Sequence, residues 1–199
     1  MKNYILLVSA LITCLLHLSS FAEENKRTSL GIKAMFGGRY DDMRMCVASD
    51  TGVKGGIIAD VMLLTRFRLK DKATLNLEIP VMRPILFTAA FKMLQFEPEV
   101  TFEFTKKISD RTDFLFGPGI GASFHYGPDY HSDNKDNRGD SFFAAGPMIS
   151  HLFGLYFKND SGKDKLLGIR AFYIPLFSGE SDLSPGTVAG GVFEMHFYF

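Results

Sequence analysis

The sequence predicts an all-β fold: an eight-stranded antiparallel up-and-down barrel that crosses a membrane with its strands. Three observations carry the prediction. In residues 193–199, Phe193, Met195, Phe197 and Phe199 alternate with Glu194, His196 and Tyr198, the period of a strand with one greasy and one wet face. Beyond residue 22 no apolar run is long enough for a transmembrane helix, while alternating segments recur along the chain. Finally, 20 Phe and no Trp call for a large apolar surface on which to place the rings.

The chain opens as an export signal. Met1-Lys2-Asn3 is a short basic start, an apolar run covers residues 4–18, and Ser20-Phe21-Ala22 offers small residues to a signal peptidase. Cleavage is expected after Ala22, which divides the chain into a removed signal, 1–22, and one barrel domain, 23–199. Leu11-Ile12-Thr13-Cys14 fits a lipobox poorly, because Thr13 is a weak match and the apolar run continues past the cysteine. Removal of the signal leaves Cys46 alone, so no internal disulfide can form. The 22 basic and 22 acidic residues balance, and no basic patch interleaved with aromatics points to nucleic acid.

Eight alternating segments follow in order. The first, 30–38, sets Leu30, Ile32, Ala34 and Phe36 against Lys33. The second, 53–69, has Val53, Ile57, Ala59, Val61, Leu63, Phe67 and Leu69 on one face and Lys54, Asp60, Arg66 and Arg68 on the other. After a tight Asp71-Lys72 turn, Leu75, Leu77, Ile79 and Val81 alternate with Asn76 and Glu78. The fourth, 94–104, puts Leu94, Phe96, Pro98, Val100, Phe102 and Phe104 opposite Gln95, Glu97, Glu99, Thr101 and Glu103. The fifth sets Phe114, Phe116, Ile120, Ala122, Phe124 and Tyr126 against glycines, Ser123 and His125. The sixth, 143–157, carries Phe143, Ala145, Ile149, Phe153, Leu155 and Phe157, with His151 as the exception on that face. In the seventh, Leu167, Ile169, Ala171, Tyr173 and Phe177 oppose Gly168 and Arg170, and residues 193–199 are the eighth. A tilted membrane strand needs roughly 9 to 11 residues.

Connections near Asp71, Ser109 and Gly162 are short, whereas 39–52 and 128–141 are longer and polar. That alternation places both chain ends on the short-turn side. Period two alone leaves open which face is inside, and a soluble barrel would turn the same strands inside out. Volume decides: an eight-stranded interior holds a modest set of side chains, and the apolar faces carry roughly fourteen aromatic rings. The apolar faces therefore belong outside, and the polar faces within. A hairpin centred near Ser109 would pair Thr101 with Gly117, Glu99 with Gly119 and Glu97 with Gly121, giving the carboxylates room. Lys33, Lys54, Arg66, Arg68 and Arg170 can then neutralise Asp60, Glu78, Glu97, Glu99, Glu103 and Glu194, since an unpaired buried charge is costly. The expectation is a plugged, ion-paired lumen.

With its signal segment, eight alternating strands, three short turns and aromatic final strand, the chain resembles the small bacterial outer-membrane β-barrel families of OmpX and the transmembrane domain of OmpA. The resemblance is architectural and covers residues 28–199. It implies an outer-membrane location, contact with outer-membrane lipids and lipopolysaccharide, and a monomer. Phe193, Met195, Phe197 and Phe199 would be the signal read by the barrel assembly machinery.

Some such barrels are enzymes, and a lipid A deacylase would carry His-x-Ser with a neighbouring acid facing lipid. Ser123 and His125 stand in the reverse order and face the lumen, His196 also faces inward, and His151 lies among Ile149 and Phe153. None supplies a nucleophile, base and acid together, so no catalytic residue, cofactor or metal is expected. The loop Asp129-Tyr130-His131-Ser132-Asp133-Asn134-Lys135-Asp136 lacks the ligand order of a calcium loop. Residues 83–92 are unexpectedly apolar; they read as a tall hairpin with Ile85 and Phe87 extending the lipid face, or as a greasy rim for a surface partner. The expected role is structural or surface-interacting, with an outer-leaflet lipid-modifying enzyme or a narrow solute channel as the alternatives.

Overall fold

The computed structural model describes residues 28–43, 54–88, 93–128, 141–179 and 184–199. The expected signal, Cys46, Val53, Phe91, the 129–136 loop and most of both long polar connections lie outside them. Among these residues are nine strands and one short helix: β1 (Thr28–Asp41), β2 (Gly55–Lys70), β3 (Ala73–Pro80), α1 (Met82–Thr88), β4 (Leu94–Phe96), β5 (Glu99–Lys107), β6 (Thr112–Pro128), β7 (Ser141–Phe157), β8 (Lys165–Leu176) and β9 (Gly186–Tyr198). Every pairing is antiparallel, and β1 pairs with both β2 and β9. With β6 also on β7, the sheet closes. Among the described residues only β4 has an unpaired edge, because it pairs on one side alone.

The barrel has eight staves, because β4 and β5 share one position against β6. The sequence reads that stave as one continuous strand, 94–104, and Pro98 interrupts it. Proline has no N–H for the ladder, and in the β3–β5 register residues 94–96 would face 81–83, where β3 has ended and α1 begins, so β4 pairs with β6 alone while β5 bridges β3 and β6. The β5–β6 register also differs from expectation. Glu99 faces Gly121 and Thr101 faces Gly119, two residues from the anticipated partners. The turn sits one residue further along, with the amides of Ile108 and Ser109 both donating to the Thr112 carbonyl. A shift of two keeps every side chain on its original face. Glycine still makes the room: a Cβ at Gly119 would collide with the Glu99 carboxylate and the Ser150 hydroxyl.

Residues after β3 form a helix rather than a taller hairpin. Pro80 and Val81 end the ladder, with the Val81 amide donating to the Val61 carbonyl. Pro84 is tolerated in a first turn, where its missing N–H costs nothing. The β2 carboxylate of Asp60 accepts the Arg83 amide at 3.3 Å, satisfying a donor that the helix start leaves free. Ile85 is exposed on this helix.

The outward face is apolar. Phe193, Phe36, Ile120 and Phe153 are 62%, 59%, 60% and 53% exposed, whereas Glu194 and His196 between the β9 aromatics are fully buried. The interior is less polar than the alternation suggests. Toward the long-loop end, Phe142, Ala144, Met148, Phe172, Ile174, Leu176, Val188 and Val192 pack with Ile58 and Met43. Toward the short-turn end, Leu64, Leu115, Leu152 and Leu166 pack with Tyr156 and Tyr198. Strands β7 and β8 are thus apolar on both faces, and these two clusters flank the charged middle of the lumen.

Candidate functional site: the charged lumen

A knot of two cations and three carboxylates lies in the middle of the barrel. Lys33 of β1 reaches inward to Glu78 of β3, and its ammonium is 3.3 Å from Glu194 of β9. Arg170 of β8 uses the whole guanidinium fork: Nε donates to Glu194 at 2.6 Å and Nη2 to Glu78 at 2.9 Å. Its Nη1 lies 2.6 Å from Glu99 and also donates to the hydroxyls of Thr101 and Ser150 at 2.9 and 3.0 Å. Glu78 accepts a further bond from Thr101 at 2.7 Å, and His196 bonds Glu194 at 3.0 Å and the Tyr198 hydroxyl at 3.1 Å. Strands β1, β3, β5, β8 and β9 are tied across the bore. All five charged side chains are buried, so their mutual bonding replaces lost hydration.

A second cluster sits toward the long loops, on the wall opposite the larger apolar cluster. Arg83 of α1 pairs with Asp60 at 2.7 Å and Glu97 at 2.8 Å. Arg39 of β1 approaches Glu97 at 3.4 Å and Asp41 at 3.8 Å, and donates to Gln95 at 3.0 Å. Glu97 also accepts from Ser123 at 3.2 Å and His125 at 3.1 Å. Helix α1 is therefore pinned into the mouth of the barrel by its own arginine.

Toward the short turns, Arg66 lies between the rings of Tyr156 and Tyr198, with its guanidinium carbon 4.3 and 4.7 Å from their centroids. It pairs with Glu103 at 3.3 Å and donates to the Tyr156 hydroxyl. Glu103 in turn accepts from Thr74 at 2.9 Å and Asn76 at 2.5 Å.

Of the expected lumen charges, Lys33, Asp60, Arg66, Glu78, Glu97, Glu99, Glu103, Arg170 and Glu194 are buried within the bore. Lys54 and Arg68 are not; both are exposed at the barrel ends. Lys54 precedes the first paired residue, Gly55, and Arg68 stands at the irregularity between Arg68 and Lys70 where the β2–β3 ladder breaks. Phe193, Met195, Phe197 and Phe199 all lie on the outer surface. Arg39, Asp41 and Arg83 were missed as lumen charges, because the sequence assigns them to loops that the structure folds inward. The signal for Arg39 was its place on the parity of Lys33, six residues on.

The histidines divide in the same way. Ser123 and His125 both bond Glu97 rather than each other, inside the bore and away from the outer face. His151 lies on the outer face, with its ring 6.2 Å from Phe116 and 4.4 Å from Phe153. No acid or hydroxyl contact to His151 accompanies those rings among the described residues. Nor does any group of three or more His, Cys, Asp or Glu there assemble as a metal site.

No family model matches the sequence, and no curated protein matches it. Solved structures do. Neisserial surface protein A is similar over 87% of this chain and 98% of its own, at 8% identity and a TM-score of 0.57. The attachment invasion locus protein Ail of Yersinia pestis covers 86% of this chain and 97% of its own, at 12% identity and a TM-score of 0.44. The N-terminal β-barrel domain of Pseudomonas aeruginosa OprF covers 86% and 97%, at 13% identity and a TM-score of 0.43. The chain is a closed eight-stranded antiparallel barrel, with the fold of the small outer-membrane β-barrel proteins.

Proposed function

We propose that this protein resides in the bacterial outer membrane, exported by its N-terminal signal, and serves a structural or surface-interacting role without catalysis. The short turns face the periplasm and the long loops face outward, where they meet lipopolysaccharide and any surface partner. The aromatic outer side of β9 is the feature the barrel assembly machinery would engage, and the barrel works as a monomer.

The observation that supports the reading is the ion-pair knot in the middle of the bore. Arg170 and Lys33 draw Glu78, Glu99 and Glu194 together from opposite walls. The void beside that knot is only about 20 Å³, room for about one water. A solute path would have to break several buried ion pairs at once. The lipid-facing surface also supports a non-catalytic role, since aromatic rings surround His151 there.

Planar-bilayer recording of the refolded protein tests this. The expected trace has no discrete conductance steps; regular steps would establish the channel reading instead. Lipid A mass spectra should be the same with and without the protein, and a lost acyl chain would establish the enzyme reading.

A further inference from the structure

We propose that the short-turn end of the barrel is a blind cup that binds a carboxylate or phosphate group carried by a small polar ligand. A cavity of about 440 Å³ opens there, within the range of small-molecule sites. Arg66 lines it between Tyr156 and Tyr198. The bore beyond is filled by the leucine cluster and then by the ion-pair knot. The space therefore ends inside the molecule.

The cup's unpaired donors favour an anion. Its carboxylates are mostly satisfied by the protein itself. Asp113 pairs with Lys158 at 2.8 Å. Asp164 accepts from the Tyr156 hydroxyl at 2.5 Å and the Asn159 amide at 2.8 Å, and Glu103 beneath is shared by Arg66, Thr74 and Asn76. Among the described residues the rim cations Arg68 and Lys72 have no carboxylate partner, and of the acids Asp71 has no partner while Asp164 is held by neutral donors alone, so charge is balanced and the surplus is of unpaired donors. Arg66 adds a further donor. Its side chain is only 9% exposed, yet its Nε–H has no partner among the described residues.

That combination is a receptor for an oxyanion. A guanidinium held by two rings and a carboxylate is already oriented, so a ligand meets a fixed donor instead of ordering a flexible one. Arg68 and Lys72 supply long-range attraction and additional charge-assisted bonds. The hydroxyls of Thr74 and Thr105 line the same space and suit a hydrated ligand body over an apolar one. Two sources share this chemistry: the free carboxylate of a peptide and the phosphate of a headgroup or free ion. The compartment from which the ligand arrives rests on the outer-membrane reading; the anion chemistry does not.

Calorimetric titration of the full-length mature barrel in zwitterionic detergent micelles at low salt tests the cup. Three probes are used: inorganic phosphate, an N-acetylated D-alanyl-D-alanine with a free carboxylate, and the same dipeptide as its amide. Saturable binding of either anion but not the amide is expected. Phosphate alone would assign the phosphate source, and the acid dipeptide alone the peptide source. The double substitution Arg68→Gln with Lys72→Gln, both on the exposed rim, should weaken that binding at least about tenfold. Lys54→Gln at the opposite end should leave it unchanged. Absence of saturable heat with both anions, equal binding of the amide, or affinity indifferent to the rim substitutions would overturn the proposal. The titration needs only the folded barrel, so its failure is separable from a failure of the outer-membrane reading, which fractionation of cells reports.

Discussion

Arg170 is the most informative residue to remove. It is 3% exposed and meets Glu194, Glu99 and Glu78 at 2.6, 2.6 and 2.9 Å. Arg170→Met keeps much of the volume and deletes the charge, leaving Lys33 alone against three buried carboxylates. Breaking a buried pair by removing one partner costs about 3–5 kcal/mol, because the remaining charge has lost its compensation. Here three carboxylates and the hydroxyls of Thr101 and Ser150 lose a donor together, so the upper part of that range is expected. In the folded-to-unfolded ratio that is two to four powers of ten. Urea unfolding from lipid vesicles, followed by far-UV circular dichroism, measures it by linear extrapolation. Adding Glu194→Gln should recover part of the loss, since the second change removes one of the stranded charges. The coupling between the two sites should be about 1–3 kcal/mol. A single-variant loss below about 1 kcal/mol, or strictly additive effects, would mean that the carboxylates are hydrated and that the knot does not close the bore.

Two further changes probe the two faces of the wall. Gly119→Leu drives a side chain into the space held by Glu99 and Ser150. It should cost about 1–3 kcal/mol or more, read as loss of heat-modifiable mobility on a gel; wild-type behaviour would show that the glycine leaves spare room. Phe193→Arg places a charge on an outward position that is 62% exposed. It should destabilise the vesicle-bound barrel by about 2–4 kcal/mol if that position lies near the midplane, as charges on a lipid face do, and an unchanged urea midpoint would place Phe193 in water.

Much of the fold was legible because a strand's period is unambiguous where one face is polar. In β5 and β9 the acidic side chains mark the inner face residue by residue, and Glu99, Glu103 and Glu194 lie inside accordingly. Where both faces are apolar the period carries no such mark. Leu152 and Tyr156 of β7, with Phe172, Ile174 and Leu176 of β8, fill the bore although the pattern gives them no inward signature. The extent of the lumen network was also hidden. Arg83 acts from a helix, and a seven-residue helix has no periodicity of its own to read; the alternating Ile85 and Phe87 imitate a strand instead. Arg39 was lost because β1 runs three residues past the last alternating position, carried by its pairing with β9 out to Asp41 and Val188. Lys54 and Arg68 obey the parity rule but stand where the ladder stops. Parity sets the side a residue faces; ladder length sets whether it reaches the bore.

The claim on which the rest depends is that the aromatic faces meet lipid and the ion pairs lie within. Strand β7 tests it most directly, because its outer and inner residues are both apolar and composition cannot decide between them. Spin labels at single cysteines, in a Cys46→Ser background reconstituted in vesicles, report collision with oxygen dissolved in the bilayer. High accessibility is expected at positions 149, 153 and 155, whose native side chains are 58%, 53% and 38% exposed. Low accessibility is expected at 148 and 152, whose side chains are buried. The reverse alternation, or none, would contradict an apolar-out barrel.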